Sequence, residues 1–310
     1  MDVLVTGGAG FIGSNFVRYL LERGDDSVTT LDALTYAGSR DNLAGYLDHP
    51  KHRFVEGDIR DRDLIADLVA DVDVIVNFAA ESHVDRSIGG AEPFVSTNVQ
   101  GTQTLLDAAL DADIDRFLQI STDEVYGEIH EGKFTEDDPL TPRNPYSATK
   151  AGADLLVQSY RETHDLPTLI TRTCNNFGPR QHPEKLIPKF IQRAANGETL
   201  PVYGDGSNVR EWIYVEDNCA ALDVVLREGD IGEVYNIGSG VELSNLETTE
   251  KILEAVGGSE DQIEFVEDRA GHDQRYAIDA TKTKALGWEP TWCFEDGLDA
   301  CVDYYLRDEE

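Results

Sequence analysis

Short apolar runs alternate with amphipathic stretches through the first half of the chain. The runs are unbroken by polar residues, as expected for strands that are buried on both faces of a parallel sheet. The expected strands are Val3–Thr6, Val28–Leu31, Phe54–Val55, Val72–Phe78, Phe117–Ile120 and Leu169–Thr171. The expected helices are Asn15–Glu22, Asp63–Val69, Ser96–Leu110 and Ser147–Thr163. Repeated strand–helix units with right-handed crossovers predict an α/β fold built on a doubly wound parallel sheet.

A glycine-rich turn directly after the first strand predicts a dinucleotide site. Residues 7–13 read GGAGFIG, and glycines let the backbone approach a pyrophosphate at a helix N-terminus. Asp32 follows Gly13 by 19 residues, at the end of the second strand. A carboxylate there binds the ribose hydroxyls of NAD and repels the 2′-phosphate of NADP, so NAD is the expected cofactor. The alternative is a structural turn with an incidental Asp32. We expect Asp58–Ile59 and Phe78–Ser82 to border the same crevice.

After about Cys174 the alternation of apolar runs with amphipathic stretches becomes less regular, which suggests two domains. We expect residues 1–173 to form a Rossmann domain that binds NAD, and residues 174–310 to form mainly a smaller substrate-binding lobe. Segment 211–239 again contains strand-like runs, at Trp212–Val215 and Glu233–Ile237. We therefore expect this segment to return to the first domain.

The charge balance is strongly acidic. Sixty Asp and Glu residues against 26 Lys and Arg give a net charge of −34, which excludes nucleic acid as a main partner and disfavours an anionic membrane. The acids are scattered along the whole chain. Where they cluster on the surface, they repel at about 0.1 M salt, where the Debye length is about 10 Å, and are screened at about 1 M, where it is about 3 Å. This favours the cytoplasm of a halophile. The alternative is an acidic docking face for a basic partner.

The cysteines and the absence of a long apolar run bear on the compartment. Cys174, Cys219, Cys293 and Cys301 lack CxxC spacing and a His partner at the spacing of a zinc site. We expect no metal and four buried thiols in a reducing compartment. No run of 18 apolar residues and no signal peptide are present, so we expect a soluble, cytoplasmic protein.

Two groups of residues are candidates for the chemistry. Tyr146 and Lys150 lie four residues apart, on one face of an expected helix, and we expect the ammonium to lower the pKa of the phenol and make it a base. Asp123 and Glu124 follow the fifth strand, at the sheet edge where such folds place their active sites. Dehydration of a sugar needs an acid and a base, and two carboxyls in different surroundings divide these roles. The alternatives are a surface Tyr–Lys pair and plain surface charge.

Motifs spread over nearly the whole chain carry a family resemblance. They are Gly7–Ser14 (GGAGFIGS), Leu34–Gly38 (LTYAG), Ala79–Ile88 (AAESHVDRSI), Ser121–Gly127 (STDEVYG), Tyr146–Lys150 (YSATK), Asn175–Pro188 (NNFGPRQHPEKLIP), Pro201–Gly204 (PVYG), Arg210–Asp217 (REWIYVED), Tyr235–Gly238 (YNIG) and Asp268–Asp279 (DRAGHDQRYAID). The chain resembles the extended short-chain dehydrogenase/reductases, and among them the dTDP-glucose 4,6-dehydratases. The pairing of Asp123 with Glu124 is the specific element.

The resemblance implies a lyase cycle with no net oxidation or reduction. Tyr146, assisted by Thr122 and Lys150, removes the C4 hydroxyl proton of dTDP-glucose while hydride passes from C4 to NAD⁺. Glu124 then abstracts the C5 proton, and Asp123 protonates the departing C6 hydroxyl. Hydride returns to C6 and gives dTDP-4-keto-6-deoxyglucose, which leads to rhamnose-type glycans, including those of cell-surface glycoproteins. NAD is regenerated, so we expect it to stay bound.

The resemblance also implies the contacts of each ligand. The catalytic residues are Thr122, Asp123, Glu124, Tyr146 and Lys150. The expected NAD contacts are Gly7, Gly10, Phe11, Ile12, Gly13, Asp32, Ala33, Leu34, Thr35, Asp58, Ile59, Phe78, Ala79, Ala80, Ser82, Thr97, Tyr146, Lys150 and Asn176. The expected substrate contacts are Ser82, Thr122, Asn175, Lys185, Leu186, Pro201, Tyr203, Arg210, Asn245, Arg269 and His272. A homodimer through the helices Ser96–Leu110 and Ser147–Thr163 is expected.

Three other functions remain open at this stage. A UDP-glucose 4,6-dehydratase uses the same catalytic residues. A nucleotide-sugar 4-epimerase shares Tyr146 and Lys150 but does not need Asp123 and Glu124. A regulator that senses NAD without catalysis gains nothing from keeping these four residues together.

Overall fold

The computed structural model describes residues 1–268 and 273–306. The strands are β1 (Asp2–Thr6), β2 (Ser27–Asp32), β3 (His52–Glu56), β4 (Val74–Asn77), β5 (Arg116–Thr122), β6 (Thr168–Thr173), β7 (Asn175–Phe177), β8 (Leu200–Tyr203), β9 (Val209–Tyr214), β10 (Val234–Ile237), β11 (Glu242–Ser244) and β12 (Ile263–Val266). The α-helices are α1 (Phe11–Arg23), α2 (Arg62–Val69), α3 (Val84–Gly89), α4 (Glu92–Phe94), α5 (Thr102–Ala112), α6 (Pro145–His164), α7 (Leu186–Ala195), α8 (Val215–Glu228), α9 (Asn245–Val256), α10 (Thr281–Lys284) and α11 (Phe294–Leu306).

Seven parallel strands form the main sheet, in the order β10-β6-β5-β4-β1-β2-β3. Side chains alternate between two apolar layers along β1: Val3 and Val5 pack on one face and Leu4 on the other. Helices α1 and α8 pack together on the first face, and α2, α5 and α6 cover the second. The predicted doubly wound α/β fold is confirmed.

The side of β1 on which successive strands are added changes between β3 and β4. From β1 the chain proceeds through β2 to β3, and it then crosses back to β4 on the other side of β1. The loops that leave the carboxyl ends of β1 and β4 therefore diverge and open a crevice, which is where open α/β sheets bind ligands.

The later part of the chain adds two small sheets. One has the order β11-β9-β7, and in the other β8 pairs with β12. Segment 211–239 divides between the parts: the strand expected at Trp212–Val215 is β9 of the small sheet and does not join the main sheet, whereas α8 packs on α1 and β10 pairs with β6. The apolar core of this lobe includes Phe177, Phe190, Ile191, Trp212, Tyr214, Ile252, Phe294 and Leu298.

The helix expected at Ser96–Leu110 is interrupted, because Val95–Gly101 forms a π-helix before α5 begins. Asn98 is buried there, and its Oδ1 accepts from the Glu81 N–H at 2.8 Å. Its Nδ2 donates to Thr149 Oγ1 on α6 at 2.9 Å. The wide turn thus lets one side chain join the loop after β4 to α6, which amphipathic spacing alone does not reveal.

The structure corrects one expectation about the cysteines. Cys174, Cys219 and Cys301 are buried, but Cys293 is exposed because it lies just before α11, in the loop at the surface. All four thiols are free. Within residues 1–268 and 273–306, no helix is long and apolar enough to cross a membrane.

Candidate active site

A cleft of about 370 Å³ lies at the carboxyl ends of the central strands. Of the residues expected from the sequence, those lining it are Gly7, Gly10, Phe11, Ile12, Gly13, Asp32, Ala33, Thr35, Asp58, Ile59, Phe78, Ala79, Ala80, Ser82, Thr97, Thr122, Asp123, Glu124, Tyr146, Lys150, Asn175, Asn176 and Lys185. The fold therefore brings the expected dinucleotide, catalytic and first substrate-lobe residues to one place.

The glycine turn is a cradle in which side chains do not fit. A Cβ on Gly7 would stand 2.7 Å from the Ala79 backbone nitrogen, and one on Gly13 would stand 2.3 Å from the Gly7 carbonyl oxygen. Gly7 also has a φ of +67°, which favours glycine. The turn leads directly into α1 at Phe11, so backbone N–H groups and the helix dipole face the cleft. These features fit a pyrophosphate.

Asp32 holds the neighbouring loops in place. Its Oδ2 accepts from the Ala9 N–H at 2.9 Å, and its Oδ1 accepts from the Leu34 N–H at 2.8 Å. Burial raises the pKa of Asp32, although these hydrogen bonds oppose the rise. Each oxygen keeps another lone pair, so ribose hydroxyls can still be bound. Leu34 is not among the residues described as lining the cleft, and it contributes its backbone N–H to Asp32 instead.

Asp58 is oriented by an arginine that sequence reasoning missed. Arg60 Nε donates to Asp58 Oδ1 at 2.9 Å, and Arg60 Nη2 lies 2.5 Å from Asp58 Oδ2. This hydrogen bonding holds the pKa of Asp58 below its ordinary value. Arg60 lines the cleft as well, and its Nη1 donates to Ser96 Oγ. Asp58 therefore borders the cleft as half of an ion pair.

Asp123 is a buried carboxyl that favours its protonated form. It is 2% exposed, and its Oδ1 accepts from Thr122 Oγ1 at 3.2 Å. Its Oδ2 is buried without a hydrogen-bond partner. Burial, followed by the charges of Glu124 and Glu211, raises the pKa of Asp123 well above its ordinary value. A group in this state is suited to donating a proton.

Glu124 stands beside Asp123 in a different environment. It is half-buried, and its Oε2 accepts from Asn144 Nδ2 at 3.3 Å. Asn144 is also the N-cap of α6, because its Oδ1 accepts from the Ser147 N–H at 2.9 Å. One amide therefore fixes both the position of Glu124 and the start of the helix that carries Tyr146.

The expectation that Lys150 lowers the pKa of Tyr146 is wrong for this structure. Burial and the charges of Glu124 and Asp123 raise the pKa of Tyr146, and only a hydrogen bond with Thr122 opposes the rise. The Lys150 ammonium instead donates to the Ile120 carbonyl at 2.6 Å. Burial lowers the pKa of Lys150 to about 8. Both groups still line the cleft, but the tyrosine is held in its protonated form.

A polar cluster joins two loops to α3 and its N-cap near the cleft. Glu184 contacts Arg86 Nη2 at 3.1 Å, and His83 Nε2 and His182 Nδ1 at 3.5 Å each. The Arg86 guanidinium lies 3.9 Å from the centre of the Tyr36 ring. These side chains come from segments far apart in the chain, so no local sequence signal predicts the cluster.

The residues expected to bind substrate separate into two groups. Lys185 lines the cleft, and its Nζ donates to the Ser82 carbonyl at 3.4 Å. Arg210 donates to the Asp273 carbonyl at 3.0 Å and is near enough to lower the pKa of Asp123. The expected substrate contacts outside the described lining are Leu186, Pro201, Tyr203, Arg210 and Asn245, and among the expected NAD contacts Leu34 lies outside it. Arg269 and His272 lie outside the described residues.

Sequence reasoning missed a set of lining residues that flank the expected ones. They are Leu31, Ala37, Gly38, Gly57, Arg60, Val84, Ile120, Ser121, Thr173, Cys174, Gln181 and His182. Their position close to the ends of strands was the feature of the sequence that could have identified them as lining residues. Among the described residues, no group of three or more His, Cys, Asp or Glu side chains could hold a metal ion.

Comparison with known proteins places this geometry in a family. Residues 4–301 match the family model described as GDP-mannose 4,6 dehydratase. The chain is 94% identical to the low-salt glycan biosynthesis protein Agl12 of Haloferax volcanii, over the full length of both. It superposes with a TM-score of 0.97 on DesIV, a dTDP-glucose 4,6-dehydratase of Streptomyces venezuelae solved with NAD and TYD, which is 53% identical and covers 100% of this chain and 98% of that one. A UDP-glucuronic acid 4-epimerase of Bacillus cereus gives a TM-score of 0.94 at 31% identity, covering 98% and 99%.

Proposed function

Because the chain belongs to the GDP-mannose 4,6-dehydratase family, we propose that it is an NAD-dependent dehydratase that converts dTDP-glucose to dTDP-4-keto-6-deoxyglucose. The observation that carries the proposal is that a buried Asp123, whose pKa burial and neighbouring carboxylates raise, lies next to a hydrogen-bonded Glu124 in one cleft. Elimination of water needs both an acid and a base, whereas epimerisation at C4 needs neither carboxyl. The lower identity of the epimerase agrees with this choice.

The glycine cradle, the N-terminus of α1 and Asp32 would hold NAD. The absence of side chains at Gly7 and Gly13 leaves room for the pyrophosphate, and the free lone pairs of Asp32 suit the ribose hydroxyls. When bound, the cofactor would accept a hydride as NAD⁺ and return it as NADH, and its oxidised nicotinamide ring would carry a positive charge. A positive charge near Tyr146 would favour its phenolate form, which burial and two carboxyls otherwise oppose.

The residues of the cleft divide the proton transfers among them. Tyr146, hydrogen-bonded by Thr122, takes the proton of the C4 hydroxyl, and we assign the assisting role to Lys150 because it lines the same cleft. Oxidation at C4 makes the C5 proton acidic, and Glu124 removes it. Asp123 gives its proton to the C6 hydroxyl, which leaves as water. Asp123 is only 2% exposed although it lines the cleft, so its proton has little contact with bulk solvent.

The smaller lobe supplies the substrate contacts in this proposal. We assign NAD to residues 1–173 and the nucleotide sugar mainly to residues 174–310, with α8 and β10 returning to the main sheet. Lys185 and Arg210 provide positive charge for the diphosphate of the substrate. The product enters glycan biosynthesis, as the name of the Haloferax relative suggests. The acidic composition supports a cytoplasmic enzyme.

We further propose a homodimer through α5, α6 and the π-helix between α4 and α5. These helices pack on one another and expose apolar side chains, with Val95 50% and Leu155 56% exposed. Light scattering on the purified protein tests this proposal. A dimer is expected for the wild type and a monomer for Leu155→Glu, and a monomeric wild type would overturn it.

Product analysis after incubation with dTDP-glucose tests the function. A product that absorbs in alkali and runs as a 4-keto-6-deoxy sugar nucleotide is expected. Formation of a galactose epimer would show a 4-epimerase, and absence of turnover with bound NAD would show a non-catalytic NAD sensor. UDP-glucose serves as the control: a higher kcat/KM for UDP-glucose than for dTDP-glucose would assign the other nucleotide.

A further inference from the structure

A buried ion pair lies beneath the active site and is not used by the proposed chemistry. Arg172 on β6 is 2% exposed, and Asp154 on α6 is fully buried. Arg172 Nε donates to Asp154 Oδ2 at 3.0 Å. Neither residue is among those described as lining the cleft. A buried pair is costly to desolvate, so its presence here calls for a role beyond stability.

The same guanidinium reaches the turn that carries the two catalytic carboxyls. Arg172 Nη1 donates to Tyr126 Oη at 2.8 Å, and the guanidinium lies 4.8 Å from the centre of the Tyr126 ring. Tyr126 ends the 3₁₀ turn Asp123–Tyr126, and its hydroxyl donates to Asn236 Oδ1 at 2.9 Å. Arg172 therefore fixes the end of this turn against the sheet.

The other arm of the pair reaches the helix that carries Tyr146 and Lys150. Asp154 follows Lys150 by four residues on α6, which places both on one face of the helix. The Asp154 carboxylate opposes the fall in the pKa of Lys150 that burial causes. Arg172 thus contacts one residue that belongs to the Asp123–Glu124 turn and another that acts on Lys150.

We propose that Arg172 is a positioning residue that holds the Asp123–Tyr126 turn and α6 in register, with Asp154 as its link to Lys150. The planar guanidinium presents several donors in a fixed fork, so it binds the carboxylate and the phenol at the same time. This inference rests on the proposed function, because it connects the contacts of Arg172 with Tyr126 and Asp154 to the proton transfers of the dehydration.

The charged and titratable groups around the Arg172–Asp154 pair determine how activity depends on pH when the pair is altered. Lys150 acts on Asp154 of the pair from α6, and Tyr126 contacts Arg172 from the turn. From β10 comes the neutral Asn236, whose backbone N–H donates to the carboxylate of Glu136 at 2.8 Å. The charge of Glu136 also acts on Tyr126. Asp154 is the neighbouring charge that acts on Lys150, so its removal moves the titration of that lysine.

The test compares Arg172→Met with Arg227→Met. Arg227 also pairs with buried carboxylates, 2.5 Å from Asp26 and 2.7 Å from Asp223, but it is not among the residues described as lining the cleft. Both variants should lose thermal stability. We expect kcat to fall about tenfold or more in Arg172→Met at a nearly unchanged KM, because small displacements of catalytic groups slow the chemistry. We expect kcat to stay within about twofold of the wild type in Arg227→Met.

Three further variants keep the inference testable if Arg172→Met folds poorly. Arg172→Lys keeps the charge but not the fork, so it should recover part of the lost kcat. Asp154→Asn should shift the alkaline limb of the pH–rate profile to lower pH, because Lys150 loses the charge that raises its pKa. The double variant Asp154→Asn/Arg172→Met should lose less activity than the product of the two single losses. Equal kcat losses in Arg172→Met and Arg227→Met, or an unmoved pH limb in Asp154→Asn, would overturn the inference.

Crystal structures of the two methionine variants add a readout that needs no substrate. The Asp123–Tyr126 turn should shift relative to Tyr146 in Arg172→Met and stay in place in Arg227→Met. An unshifted turn contradicts the inference even if dTDP-glucose proves not to be the substrate. Lack of turnover by the wild type contradicts the proposed function instead, so the two failures are distinguishable.

Discussion

Asn144 Nδ2 donates a hydrogen bond to Glu124 Oε2 at 3.3 Å, while the Oδ1 of the same amide caps α6. This one side chain therefore joins the two parts of the catalytic site. Asp123 and Glu124 come from the end of β5, and Tyr146 and Lys150 come from α6. Arg172 joins the same two elements from beneath.

Variants of Asn144 separate the cap from the contact with Glu124. Asn144→Ser keeps an oxygen that caps α6 but lacks the amide donor, so Tm should stay close to the wild type while kcat falls. Asn144→Ala loses both functions and should also lose about 1 kcal/mol of stability. Thermal unfolding and steady-state kinetics check both outcomes. A Ser variant with wild-type kcat would show that the contact with Glu124 is dispensable.

Glu124→Gln should stop removal of the C5 proton, because an amide is not a base at neutral pH. We expect dehydration to fall by about 100-fold or more, a typical effect of losing a general base. Glu131→Gln, at an exposed position, is the matched control and should keep full activity. Substantial release of 4-keto product by the Gln variant would remove Glu124 from this role.

Asp123→Asn should lower activity but raise stability at neutral pH. The pKa of Asp123 is raised in the folded protein, so the folded state binds more protons than the unfolded state above about pH 4. Wild-type stability therefore falls with rising pH in this range, and the Asn variant lacks that loss. The difference in Tm, variant minus wild type, should grow from about pH 4 towards neutrality. A difference that is independent of pH would contradict the raised pKa.

Gly13→Ala should weaken retention of NAD. The added Cβ would stand 2.3 Å from the Gly7 carbonyl oxygen and 2.9 Å from Gly8 Cα, so the turn must open. NAD released from the acid-denatured protein measures the effect. Gly89→Ala, where a Cβ meets nothing within 4 Å, is the control and should keep its NAD. Equal NAD contents in the two variants would argue against the cradle.

The charge of −34 predicts a dependence on salt. Repulsion among acids is screened as the Debye length falls from about 10 Å at 0.1 M to about 3 Å at 1 M salt. We therefore expect a higher Tm and higher activity in about 1 M KCl than in 0.1 M KCl. A flat profile between these concentrations would favour the alternative of an acidic docking face.

The doubly wound fold could be predicted from the sequence alone, because unbroken apolar runs and glycine spacing are local signals that indicate burial and turn geometry. The sequence also located the cleft, since residues that it singled out at strand ends, such as Asp32 and Asp123, line one cavity together with Tyr146 of α6. Motif resemblance supplied their expected roles.

The pKa shifts of these groups and the contacts that position them could be seen only in the tertiary structure. A spacing of four residues suggested that Lys150 lowers the pKa of Tyr146, but burial and the carboxyls of Glu124 and Asp123 raise it. The contacts of Arg172, which join residues 46 and 18 positions away, have no local signature. Desolvation and long-range contacts depend on what surrounds a side chain in space, and the chain alone does not state it.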